Sequence, residues 1–335
     1  MNPISTSRLK STDTGSAIIL TAATGAAVAA GQTSGVKDIY SLRNPLQVPI
    51  LVDSIDFDTD GTTDAGPANA LGQIITTPFN GGDLRVMLRL GQDQITATYV
   101  PIWVLGKARN LSVSGVNGLS GGVNGAASIA TPQQNSGIYG TTLSSPLIVH
   151  PGEYIEPVFY NAGQLNPGGS ITARITVRGR AMNPGSKRQS LPWISYFAGS
   201  VQNVGTNYTE ETRESDLANP FNTPLYVDRM VGVIGSFYNS SDYGPYRDDV
   251  SVDAGLNYCL VRMADESGRP MVRDLTPFGH LFQMQTYSWE FKSIMPVNSF
   301  YKAYLTENYA SITGFSGNPT LQVYMALNGR RLVTS

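Results

Sequence analysis

The chain writes nearly the same ten residues twice: NPLQVPILVD from Asn44 to Asp53, and NPFNTPLYVD from Asn219 to Asp228. Started at Leu42 and Leu217, the two windows align without gaps and share Leu, Asn, both prolines, Val and Asp, with Ile50 against Leu225. Asn-Pro makes a turn, the second Pro fixes the start of a strand, and Val-Asp ends an apolar run. A short match means duplication only if others follow in the same order. Two do. Ile171, Ala173, Ile175 and Val177 alternate up to Gly179-Arg180, and Leu321, Val323, Met325 and Leu327 alternate up to Gly329-Arg330. Ahead of each lies a proline after an apolar position, Val149-His150-Pro151 and Ile294-Met295-Pro296, followed by the aromatic-rich YIEPVFY and FYKAYL. The order predicts two related units, one from Leu42 to Met182 and one from Leu217 to the C-terminus.

The rest of the composition names the fold class. With 35 Gly and 20 Pro dispersed along 335 residues, long helices are excluded, and the short Val-, Ile-, Thr- and Tyr-rich runs between them read as strands. The expectation is all-β, with about eight antiparallel strands in each unit, which suits a sandwich or jelly roll. Residues 1–41 read as an N-terminal arm of small residues; the stretch from Ser16 to Gly31 also has the outline of a secretory signal. Residues 42–182 form the first unit, 183–216 a linker and 217–335 the second unit. Within the first, Gly106 to Gly140 is Gly-, Ser- and Asn-rich and reads as a long surface loop.

Charged residues make only 14% of the chain, against about a quarter in an ordinary soluble domain, so much of the surface is easily buried against other copies. A net charge of -2 supplies no overall attraction to nucleic acid. The single cysteine, Cys259, excludes an internal disulfide framework, and its apolar setting reads as packing.

Few residues have the spacing that chemistry demands. Asp56, Asp58, Asp60 and Asp64, with Gly61 among them, match the first half of a calcium-binding loop, but Pro67 stands where a bidentate Glu is needed. They are the candidate Ca²⁺ set, against an acidic solvent loop. Gly118 to Gly122 fits Gly-x-Ser-x-Gly without the flanking strand and helix. His150 and His280 have no partners at metal-ligand spacing, and Glu153 and Glu156 point to opposite faces of a strand. Neither a catalytic set nor a required cofactor emerges, and the expectation is a protein that is not an enzyme. Arg178, Arg180, Lys187 and Arg188, with Arg330 and Arg331 in the second unit, gather where the units end and predict a basic base facing lipid headgroups or a genome. Trp193, Tyr196, Phe197 and Tyr208 are candidates for contacts between units or subunits.

Two units with the repeated Asn-Pro-x-x-x-Pro opening, a Gly-rich loop inserted in one, a small-residue arm and depleted charge resemble the double jelly-roll major capsid proteins. These build tailless icosahedral viruses, including bacteriophages with an internal membrane. The resemblance implies a homotrimer forming a pseudo-hexameric capsomer, assembly in the host cytoplasm and residence in the virion. Its implied partners are neighbouring capsomers, penton and minor capsid proteins and internal membrane lipids, with no sequence-specific nucleic acid. A secreted β-sandwich that binds carbohydrate is the alternative, for which the signal-like N-terminus would be genuine.

Overall fold

The computed structural model describes residues 15–60, 65–68, 74–76, 84–101, 146–162, 170–202, 210–211, 216–238, 259–282, 288–307 and 320–333. The Gly106 to Gly140 insertion and Tyr208 lie outside them. In chain order the strands are β1 (Ala17–Ala23), β2 (Val28–Ala29), β3 (Thr33–Gly35), β4 (Ile50–Asp60), β5 (Ala65–Ala68), β6 (Ile74–Thr76) and β7 (Leu84–Leu90). Next come β8 (Asp93–Gln94), β9 (Val100–Pro101), β10 (Leu147–Val149), β11 (Ile155–Asn161) and β12 (Ser170–Ala181). The second half holds β13 (Ser190–Gln202), β14 (Glu210–Glu211), β15 (Leu225–Tyr238), β16 (Cys259–Asp265) and β17 (Pro270–Pro277). A one-turn helix, α1 (Phe278–Leu281), precedes β18 (Ser288–Met295), β19 (Tyr301–Glu307) and β20 (Thr320–Leu332). The chain is all-β, and every pairing between these strands is antiparallel.

One strand order occurs twice. The first half stacks a sheet β1-β12-β4-β10 on a sheet β3-β11-β7-β8, and the second stacks β13-β20-β15-β18 on β14-β19-β16-β17. Position by position, β1 answers to β13, β12 to β20, β4 to β15 and β10 to β18. In the other sheet β3 answers to β14, β11 to β19, β7 to β16 and β8 to β17. Period-two alternation sends one face of each strand into a core. Ile55, Phe57, Ile175 and Val177 meet Val86, Leu88, Ile155 and Phe159 in the first core. Val227, Met230, Met325 and Leu327 meet Val261, Met263, Ala303 and Leu305 in the second. Cys259 is fully buried there, as its apolar run implied.

Two segments expected outside the units are in the sheets. β1, from the expected arm, pairs with β12 from Ala17 opposite Arg180 to Ala23 opposite Arg174. β13, from the expected linker, pairs with the whole length of β20. The reason is edge protection. The last strand of each half would otherwise present an open row of backbone groups, and AIILTAA and LPWISYFA carry enough alternating apolar side chains to cover it.

The two halves differ in one respect. From Thr172 to Ala181 of β12 only alternate residues are buried, whereas Val323 to Gly329 of β20 are buried without a break. Met325 and Leu327 enter the second core, while Tyr324 and Ala326, with Leu191, Ile194 and Val231, join the first. The sheet β13-β20-β15-β18 is thus packed on both faces and shared by two cores.

Candidate functional site: a repeated staple and the seam between halves

The repeated decapeptide has a definite structural task. Asn44 Nδ2 donates to the carbonyls of Val48 and Val149, each at 2.9 Å, and its Oδ1 accepts from the Leu46 N–H at 2.9 Å. Asn219 repeats this: Nδ2 donates to Thr223, Met295 and Pro296 carbonyls at 3.1, 3.3 and 2.8 Å, and Oδ1 accepts from the Phe221 N–H at 3.1 Å. Each side chain is a staple tying its Pro-bounded turn to the end of a neighbouring strand. Each Asn N–H also donates to the turn that follows, to Glu153 and Ser299 carbonyls, both at 2.8 Å.

The closing Val-Asp marks a β-bulge. The pairing of β4 with β12 passes from Ser54–Arg178 to Val52–Gly179 and omits Asp53, and that of β15 with β20 passes from Val227–Gly329 to Arg229–Asn328 and omits Asp228. A bulge brings the strands close at its mouth. A Cβ on Gly179 would stand 2.5 Å from the Leu51 carbonyl oxygen, and one on Gly329 2.9 Å from that of Tyr226, so only glycine fits. The following arginine pairs with the omitted aspartate: Arg180 with Asp53 at 3.5 Å, Arg330 with Asp228 at 3.8 Å.

The seam between halves is built from residues that no motif announces. The Ile194 N–H donates to the Ile95 carbonyl at 2.9 Å, and its own carbonyl accepts from the Ala97 N–H at 2.8 Å, with Thr96 opposite it in a parallel bridge. Arg85 donates to the Tyr196 hydroxyl at 3.1 Å. Burial raises the pKa of that tyrosine above its ordinary value, with Arg85 opposing. Arg331 reaches Asp93 at 2.7 Å and lies 4.6 Å above the Phe221 ring. Arg188 donates through Nε to the Ile148 carbonyl at 2.9 Å and pairs with Glu153, which also accepts from the His150 N–H at 2.8 Å.

The residues of the expected basic base are held in different ways. Arg188 and Arg331 are turned into the seam, where carboxylates compensate their burial, and Arg180 and Arg330 are the bulge pairs; Arg178, Arg180 and Lys187 are exposed. Three residues of the acidic set are placed in a strand. Asp56, Asp58 and Asp60 lie in β4, their backbones opposite Thr176, Arg174 and Thr172, and not in a loop; Asp64 is outside the described residues. Among the described residues, no group of three His, Cys, Asp or Glu is placed to hold a metal ion. Trp193 and Phe197 belong to the second core, whereas Tyr196 packs against the first. Ile19, Ile194, Asp93 and the segment of residues 95–97 were missed by sequence reasoning. The uninterrupted VYMAL run of β20 was the available signal for a sheet covered on both sides.

No family model matches the chain, and no curated protein does. Among solved structures, it is similar to the major capsid protein P2 from bacteriophage PM2, with 10% identity and a TM-score of 0.37, over 95% of this chain and 98% of that one. It also aligns with PNGase F, a glycosylasparaginase from Flavobacterium meningosepticum, at 9% identity and a TM-score of 0.28, over 95% of this chain and 100% of that one.

Proposed function

We propose that the chain is a double jelly-roll shell subunit, a structural protein that acts through its surfaces and carries out no reaction. One observation carries the reading: the same strand order occurs twice in one chain, and the two copies are joined through a shared sheet instead of a flexible tether. Two like units locked side by side present alternating equivalent faces, which is what a closed ring of subunits needs. The weakly charged surface supports the same reading, because it leaves broad areas that associate without desolvating many ions.

In this proposal three subunits form a pseudo-hexameric capsomer, and capsomers assemble in the host cytoplasm into the icosahedral shell of a virion. Penton and minor capsid proteins fill the vertices. Arg178, Arg180 and Lys187, which are exposed, face membrane lipids or genome in this proposal. The test is native mass by size-exclusion chromatography with light scattering. The expected result is three copies of the 35.9 kDa chain, about 108 kDa, since two units per chain make a six-membered block by threefold closure. A monomer at all concentrations would overturn it.

A further inference from the structure

Among the described residues, the contact that joins the two halves is made once, and both sides of a second contact of the same kind are left open. The register of the glycine bulges makes the comparison residue by residue. Ile194 stands opposite Asn328, one residue before Gly329; Ile19 stands opposite Arg178, one residue before Gly179. Ile19 is therefore the counterpart of Ile194. Ile194 is 2% exposed against residues 95–97, whereas Ile19 is 63% exposed on the edge strand β1.

The receiving surface has a counterpart too. Leu90 pairs with Ile155 at the start of β11 as Asp265 pairs with Tyr301 at the start of β19, so the stretch after the β7 turn answers to the beginning of β17. There Met271 and Val272 are half-buried, and Leu275 is 41% exposed, on a strand that lies at the edge of its sheet. The margin of the seam repeats as well. Ile148, over which Arg188 closes, is 8% exposed, while its counterpart Ile294 is 61% exposed, beside Val297 at 42%. Asp265 and Glu266 line the groove next to Ile294.

We infer that a second copy of the chain completes this contact: the outer face of β1, led by Ile19, docks on the β17 edge between Met271 and Leu275 of the neighbouring subunit, and the incoming copy covers Ile294. The partner is a second copy because the chain already contains the contact, with its own β13 in the place of β1. The chemistry of the open face fits a subunit that stays dissolved before it assembles. At the positions of Tyr324 and Ala326, which are covered within the chain, β12 carries Arg174 and Thr176. The contact is head-to-tail, so repetition generates a ring or an open chain. The inference deepens the subunit reading above and rests on it for closure at three copies.

The test compares the native masses of the full-length chain, Ile19→Glu, Leu275→Glu and a one-to-one mixture of the two variants, with thermal melts to confirm folding. Both residues are exposed, and Ile19→Lys and Leu275→Lys serve as second variants if either Glu form melts early. The full-length chain is expected as a closed multimer, each variant as one chain, and the mixture as a two-chain species, because the variants between them keep one intact pair of surfaces. If folded variants keep the mass of the parent, the surface is wrong and the subunit reading stands. If each variant dissociates but the mixture stays at one chain, the two surfaces are not partners. A parent that is itself a single chain overturns the inference and the subunit reading together.

Discussion

Asn44 and Asn219 do more than make turns. Each is almost fully buried, and each Nδ2 satisfies at least two backbone carbonyls in its turn or at the end of a neighbouring strand. Removing such a side chain leaves those acceptors unpaired, which costs more than the net worth of the bonds themselves. Asn44→Ala and Asn219→Ala are expected to destabilise by about 2–3 kcal/mol each, read as a lowered denaturant midpoint. Asn44→Asp should be worse than Ala, because it sets a carboxylate against the Val48 and Val149 carbonyls; an Asp variant as stable as the parent would contradict the staple. The turns after β10 and β18 correspond as well. Both need a residue with positive φ, supplied by Gly152 at 80° and by Asn298 at 54°.

At the scale of the element, the strands were legible where alternation was strict. LRVMLRL and residues 172–177 bury alternate residues as their patterns require, whereas the strands run past Gly179-Arg180 and Gly329-Arg330, to Ala181 and Leu332. The bulges were not legible, because an omitted aspartate is a property of pairing and exists only once two distant strands are in register. The arm was misread for a related reason: small residues such as those of β1 look featureless until a partner edge is present to pair with them. Asp56, Asp58 and Asp60 looked like a loop because their spacing suits either a metal-binding turn or one face of a strand, and β12 decides for the strand. The strands also bury two tyrosine hydroxyls, Tyr196 and Tyr301, whose pKa values burial raises above 10.0. Below pH 10 both are protonated whether the chain is folded or not, so their contribution is whole there. It is lost as pH climbs from 10.0 through the raised native values. A denaturant series is expected to show a fall in stability above pH 10 that is shallower in the Tyr196→Phe, Tyr301→Phe double variant.

For the whole molecule, the decisive feature is the sheet that serves two cores. Leu191, Ile194, Val231, Tyr324 and Ala326 pack with the first half although their strands belong to the second. Unfolding the second half thus strips apolar cover from the first, at a cost of roughly 25 cal/mol for each Å² exposed. Scanning calorimetry is expected to give one endotherm with equal calorimetric and van't Hoff enthalpies; two resolved peaks would mean that the halves melt independently.

β20 lies between β13 and β15, and it is the last of these strands to be synthesised. A ribosome that stalls before Thr320 releases a chain whose second sheet lacks its middle strand and whose first core lacks Tyr324 and Ala326. Such a fragment exposes two long unpaired edges and an apolar face to cellular proteases. The topology therefore works as a check on translation, since this sheet and both cores close only in chains translated through β20.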